Sequence, residues 1–339
     1  MMPHPPGCPA CGSPEALRLV EEHRDRIGGR EYRLLLCPDC QVVSSEPRDP
    51  VGADWYAKLA PARVETARDP LHGPAPEDDW RFSQFFSDRL PGGRLLDVGC
   101  GGGDFMALAA RKGYQPVGFD YDGRVVQEAR RKGLDAYCTD FEAFVVGRQE
   151  GEFDILTLFD VLEHTPEPAW FLQQLKRLLR PGGHIALTMP NSQRPIPFER
   201  EEHDYPPHHF TRWSPSAMKA FLERQGFEVV RQDASTLHLR YLTDHLFFYR
   251  IMPGLLSLAR RLLLKDAGGS GRTFSEALSA TPQGKDGWLS DQARRQRLVD
   301  LARFSFQVLA APLAALQRAR HRSRQPDCGD CLYTLARAK

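Results

Sequence analysis

The sequence predicts an α/β protein: a mostly parallel sheet with helices on both faces, a four-cysteine ribbon in front, and a helical insertion before the last strand. Three observations predict this. Between residues 91 and 239, short apolar runs alternate with stretches of helical period, the pattern of strands buried on both faces. The first run, "RLLDVGCGGGDF" (94–105), ends in a carboxylate and opens onto four glycines within five residues. Six of the eight cysteines fall in Cys-x-x-Cys pairs, two of the pairs before residue 41.

Composition sets the outer bounds. At 339 residues, 41% hydrophobic and 26% charged, the chain suits one large globular domain or two smaller ones. A net charge of +1 excludes nucleic-acid binding by bulk charge. The opening "MMPHPPGCPACG" has neither the charged nor the apolar region of a signal peptide. No run reaches the roughly 18 apolar residues of a spanning helix. Paired cysteines in such a chain point to metal before disulfides, and the expected compartment is the cytoplasm.

The elements follow in order. Residues 1–50 lack helical period, and "EYRLLL" (31–36) is a short strand entering the second cysteine pair. Residues 51–90 read as a helical linker, "ADWYAKLAPARVETA" (53–67) and "DDWRFSQFFSDRL" (78–90) around a Pro-rich break. After Pro91-Gly92-Gly93 the alternation begins. Strand "RLLDVG" precedes helix "DFMALAARKG", and strand "QPVGFD" precedes helix "GRVVQEARRKG". Next come a short strand "DAYCTD", a short helix "FEAFV" and a strand "FDILTLFD" (153–160). Helix "EPAWFLQQLKRLLR" is stopped by "PGG" and followed by strand "HIALTMP". Helix "SPSAMKAFLERQG" and strand "FEVVRQD" close the region. Residues 240–326 hold two apolar helical stretches around a Gly/Ser-rich loop, and residues 327–339 return as a strand antiparallel to the previous one.

The glycine loop limits the ligand. A P-loop needs Lys-Ser/Thr after its glycines, and none follows. The dinucleotide fingerprint needs a third small residue where this chain has Asp104. Asp97 and Asp104 would also repel a pyrophosphate. A cationic ligand without phosphate reverses the sign: Asp97 welcomes it, the glycines admit it to the backbone, and Asp120 offers a bidentate acceptor to a ribose. S-adenosylmethionine has that profile.

At this point the chain resembles the class I S-adenosylmethionine-dependent methyltransferases. The matching stretches are "LLDVGCGGG" (95–103), "VGFD" (117–120), "TDFEAF" (139–144), "FDILTLFDVLEH" (153–164) and "LLRPGGHIALTMPN" (178–191). The resemblance covers about 80–240 and implies a Rossmann-like sheet of seven strands, the last supplied by residues 327–339. It implies that Gly99, Gly101 and Gly103 wrap the methionyl part with Asp97 near its ammonium. Asp120 would hold the ribose with Tyr121 beside it. Asp140 would meet the adenine amine with Phe141 beside the ring, and Phe159 and Asp160 would border the sulfonium. The plainer alternative for each is a solvated loop residue or a helix cap.

Cys8, Cys11, Cys37 and Cys40 form two knuckles that match a tetrahedral four-thiolate zinc ribbon. Such a closed set is structural, and the chain resembles methyltransferases in which a ribbon precedes the catalytic domain. Cys328 and Cys331 form a single pair expected to have no metal role, and Cys100 and Cys138 read as small core or loop residues.

Methyl transfer needs an aligned acceptor and, for a hydroxyl, a base. His164 follows the fourth strand, and His203, His208 and His209 lie in "REEHDYPPHHFTRWS" (200–214), after the fifth. Both places are at the carboxyl edge of the sheet, and His208 or His209 is the preferred base. Tyr205, Phe210 and Trp213 would floor an acceptor pocket. In the alternative, Pro206 and Pro207 stiffen the loop and the histidines only bond backbone. "DVLEH" with this loop resembles small-molecule methyltransferases of the quinone-biosynthesis O-methyltransferase type, which implies a small or lipid-linked acceptor and no specific nucleic acid.

Residues 240–326 carry 15 Lys/Arg against 6 Asp/Glu, an excess of 9 positive charges. A lid on the catalytic domain is the favoured reading, and peripheral contact with an anionic membrane at its inner face is the other. An RNA methyltransferase is the first rival, without the N/D-P-P-[YF] motif where this chain reads "FDVLEH". A zinc-ribbon scaffold with a decayed catalytic domain is the second.

Overall fold

The computed structural model describes residues 7–51, 55, 76–194, 204–235, 243, 305–312, 314–316, 319–320 and 329–339. The chain divides into two compact units, Met1–Ser235 with Asp327–Lys339, and Thr236–Pro326. In the second unit, residues 305–312 and 314–316 are helical. The remainder of the 240–326 insertion and the 53–67 helix lie outside the described residues, apart from Trp55, Thr243 and residues 319–320.

The first unit opens with three antiparallel strands, β1 (Arg18–Arg24), β2 (Glu31–Leu36) and β3 (Val43–Glu46). Asp25 shapes the turn between β1 and β2, accepting from the N–H of Ile27 and Gly28 at 2.8 Å each. Helix α1 (Trp80–Ser87) starts at Asp79, whose carboxylate accepts from Arg81 N–H, and buries Phe82 and Phe85.

The alternation then runs β4 (Arg94–Val98), α2 (Asp104–Arg111), β5 (Gln115–Asp120), α3 (Gly123–Arg131), β6 (Asp135–Cys138) and α4 (Phe141–Val145). It continues through β7 (Phe153–Phe159), a 3₁₀ turn (Leu162–His164), α5 (Pro168–Leu178) and β8 (Leu179–Pro190). A two-residue strand β9 (Thr211–Arg212), α6 (Pro215–Arg224), β10 (Phe227–Ala234) and β11 (Cys331–Ala338) complete the unit. The expected helix through Arg180 ends two residues early, at Leu178. Pro181 disfavours helical backbone at Arg180, which already belongs to β8.

The large sheet has seven strands in the order β10-β11-β8-β7-β4-β5-β6. β11 is antiparallel to both neighbours, and the pairs from β8 to β6 are parallel. Side-chain alternation gives the sheet two covered faces. Leu96 and Val98 join Leu158, Leu172 and Leu175 in one cluster, while Leu95 and Ile155 join Phe82, Phe85 and Phe105 in another. The first cluster also contains Cys8, Cys37, Cys40 and Val42, so the ribbon shares the core of the sheet. Two strands therefore present their carboxyl ends side by side, β4 and β5, with β7 on the other flank of β4.

Candidate active site

The turn after β4 is held from the second strand. Gly99 and Cys100 donate their N–H groups to the Phe119 carbonyl at 3.0 and 3.1 Å. Asp120, at the end of β5, accepts from Gly101 N–H at 3.1 Å and from Asp122 N–H at 2.9 Å. One carboxylate thus ties the glycine loop to the edge where a ribose is expected. The glycines divide the work. Gly101, at φ 52°, faces open space, so a ligand can reach its backbone. A Cβ on Gly103 would lie 2.5 Å from Leu134 and 2.9 Å from Ala129, so this glycine closes α2 onto α3.

Asp97 is buried and takes a 2.7 Å hydrogen bond from the Thr157 hydroxyl on the neighbouring strand β7. Burial pushes its pKa up to about 7, against that hydrogen bond and the Arg81 charge. The ordinary value is 3.8, so between about pH 4 and 7 the folded chain keeps a proton that the unfolded chain has lost. Folding stability from this group therefore falls as pH rises through that window. Asp97→Asn is expected to melt higher than the native chain at pH 8, by up to about 4 kcal/mol, and no higher at pH 4. Thermal melts at the two pH values check this, and equal differences at both would refute it.

Arg81 is a residue the sequence did not flag. From α1 it donates to Asp160 at 2.5 Å and to Asp79 at 2.7 Å. Burial opposes its charge, yet Asp79 and Asp160 more than offset that, so its pKa lies above the usual guanidinium value. Asp160 has a left-handed backbone, φ 56°, and also accepts from the Thr188 hydroxyl at 2.9 Å. Phe159 packs on Phe82 and Phe105 at ring distances of 5.4 and 4.8 Å, half-buried at the strand end. On the far side Tyr121 is exposed, Asp140 caps α4 through Ala143 N–H at 2.7 Å, and Phe141 packs on Phe171 at 4.2 Å.

Three of the four flagged histidines come together, and His203 lies outside the described residues. Ligand nitrogens of His164, His208 and His209 all lie within 4.8 Å of one another. His164 Nδ1 meets the His208 carbonyl at 2.8 Å, and His209 Nδ1 lies 3.8 Å from Asp204. Asp204 in turn pairs with Arg194 at 2.8 Å. Beside them Glu163 is buried, and neither of its carboxyl oxygens has a hydrogen-bond partner among the described residues. Burial first, then the Asp160 charge, holds its pKa well above the usual carboxylate range. Tyr205, Phe210 and Trp213 are all buried, so they wall the loop rather than line an open surface.

In the ribbon, the sulfur atoms of Cys8, Cys11, Cys37 and Cys40 lie within 4.8 Å of one another. The Cys8–Cys40 and Cys11–Cys37 separations are 3.5 and 3.7 Å, close to the roughly 3.8 Å edge of a tetrahedron with 2.3 Å metal–sulfur bonds. A disulfide would need about 2.05 Å. The two knuckles repeat one backbone pattern: Gly12 N–H donates to the Cys8 carbonyl at 2.9 Å, and Gln41 N–H to the Cys37 carbonyl at 3.0 Å. Cys331 begins β11 as a half-buried thiol, whereas Cys328 lies outside the described residues. Cys100 is buried and Cys138 exposed.

The strand order, the single antiparallel strand next to the edge and the glycine turn after β4 define a Rossmann-like methyltransferase fold. Residues 78–232 match the family described as "Methyltransferase domain". The ubiquinone biosynthesis O-methyltransferase of Xanthomonas oryzae pv. oryzae is 37% identical over 107 residues, which is 30% of this chain and 45% of that protein. The protein of the same name from Acinetobacter baylyi is 29% identical over 177 residues, 46% of this chain and 71% of that one. A solved S-adenosylmethionine-dependent methyltransferase from Archaeoglobus fulgidus has a TM-score of 0.48 at 13% identity, covering 83% of this chain and 99% of its own. The match to the first of these relatives spans less than half of its length. The family match over 78–232 and these relatives support a class I S-adenosylmethionine-dependent methyltransferase.

Proposed function

We propose that this chain transfers a methyl group from S-adenosylmethionine to a hydroxyl oxygen of a small or lipid-linked acceptor. The observation that carries the reading is the gathering of His164, His208 and His209 beyond the carboxyl ends of β7 and β8, the same edge that holds Asp97, Gly101 and Asp120. The donor set there fits a cationic, phosphate-free ligand: four carboxylates, one glycine open to close approach, and no Lys-Ser/Thr for a phosphate. Asp120 would hold the ribose and Asp97 the ammonium, with Asp140 and Phe141 on the adenine side and Phe159 and Asp160 toward the sulfur.

Bound there, S-adenosylmethionine supplies a methyl carbon already activated by a positive sulfur. The chain's own task is to line up the acceptor oxygen and take its proton as the new O–CH3 bond replaces S–CH3. His208 and His209 are the preferred bases. His209 has Asp204 behind its Nδ1, the arrangement that orients a ring and supports its charge when it takes a proton. The relatives named O-methyltransferase support oxygen as the atom methylated. The four cysteines fit one zinc ion, held as a structural centre with no open position.

The experiment is transfer of labelled methyl from S-adenosylmethionine to a panel of phenolic and alcoholic acceptors, with the product linkage read by mass spectrometry. His208→Ala and His209→Ala are expected to lower turnover with a productive acceptor by roughly 100-fold or more in at least one case. Unchanged turnover in both variants would remove the histidine base and leave the transferase reading standing. N- or C-methylated product alone would remove oxygen as the acceptor atom.

A further inference from the structure

The ribbon and the histidine loop are one structure. β9 is the fourth strand of the ribbon sheet, whose order is β1-β2-β3-β9, with Val43 opposite Arg212 and Ser44 opposite Thr211. Ser45 N–H donates to the Phe210 carbonyl at 2.9 Å. The loop that carries His208 and His209 thus runs directly into a strand that the ribbon supplies with its partner.

One ribbon side chain holds both ends of that loop. Glu21 accepts from the Tyr205 hydroxyl at 2.9 Å through one oxygen, and its other oxygen lies 3.4 Å from the Arg212 guanidinium. Tyr205 stands three residues before His208, and Arg212 three after His209. The two also touch each other, with the Arg212 guanidinium 4.6 Å from the Tyr205 ring centre, and His23 stacks on that ring at 4.2 Å. The pairing of β1 with β2 shifts register between Leu19 and Glu21, and such a bulge re-aims the side chains beside it. A second tie reaches His208 itself. Trp55 lies 6.3 Å from it, ring centre to ring centre, and bonds the ribbon-turn residue Asp25 at 2.9 Å.

We infer that Glu21 is a positioning residue for the reaction edge, and that the ribbon sets the placement of His208 and His209 through it. The inference rests on the reading of those histidines as acceptor-side groups. It assigns the ribbon a role inside the catalytic domain rather than as a detached recognition module. A carboxylate suits the task because its two oxygens serve two donors at once, and both bonds are charge-assisted. Glutamine in its place would turn an N–H group toward Arg212.

The test uses the full-length zinc-loaded chain, with Glu21→Ala and Tyr205→Phe as separate variants. Zinc content and affinity for S-adenosylhomocysteine are measured as controls. The readouts are amide exchange over 204–213 and the pH titration of the imidazole resonances. Expected are one zinc per chain and cofactor affinity within about twofold of native, with exchange over 204–213 faster by about tenfold in each variant. The His208 and His209 titrations move, while that of His184 on β8 does not. Two results overturn the inference: loop exchange and both titrations unchanged in the two variants, or a rise spread equally over 94–190, which marks general destabilisation. These readouts need no acceptor. They stand apart from the labelled-methyl assay, whose failure would strike the transferase reading instead.

Discussion

Asp120→Ala is expected to weaken S-adenosylhomocysteine binding by on the order of 100-fold, about 3 kcal/mol. Two losses add. The ribose would lose a bidentate charged acceptor. The glycine loop would also lose its tie, because the same carboxylate accepts from Gly101 N–H and Asp122 N–H. Asp120→Asn is expected to be milder: its one oxygen still serves Gly101 N–H, while an NH2 group faces Asp122 N–H and the ribose. Calorimetric titration of both variants checks this. An Asp120→Ala chain that binds as tightly as native would place the ribose elsewhere.

Cys37→Ser is expected to abolish the zinc binding proposed for the ribbon and carry the damage to the reaction edge. A four-thiolate zinc site contributes roughly 10 kcal/mol or more of folding free energy to a small ribbon, and three thiolates do not close the tetrahedron. Here the loss spreads. Cys8, Cys37 and Cys40 belong to the same apolar cluster as Leu96, Leu158 and Leu172, and β3 is the partner of β9. The expected result is no bound zinc by elemental analysis, protease cleavage within 7–51, and loss of amide protection over 204–213. Strands β4 and β5 and the glycine loop keep theirs. A zinc-free chain with a fully protected histidine loop would show that the loop holds itself.

Much of this was legible before the fold because the relevant signals are local. Strand and helix alternation, the turn glycines, Asp97 and Asp120 at strand ends, and the cysteine knuckles all lie within a few residues of their own context. What escaped depends on contacts across the chain. Arg81 is one cation in an amphipathic helix, and only the sheet order brings it to Asp160, 79 residues later. The signal for Thr157 was present, a polar residue within the apolar run "FDILTLF", but its partner Asp97 sits on another strand. β1 shows mostly exposed residues and so lacks the alternation that marks a strand. β9 is two residues long, too short for any period, yet it joins the ribbon to the loop. The burial of Glu163 has no local signature, since a carboxylate in "DVLEH" gives no sign of which side faces the core.

The central claim is that the edge formed by β4, β5 and β7 binds S-adenosylmethionine. No helix among the described residues is long and apolar enough to cross a membrane. The most direct measurement is calorimetric titration of the full-length, zinc-loaded chain with S-adenosylhomocysteine between pH 6 and 8. The account predicts one saturable site per chain, with affinity falling as pH drops below about 7, where the proton on Asp97 removes the charge facing the ammonium. A folded chain with an intact ribbon that takes up no ligand at millimolar concentration would contradict it.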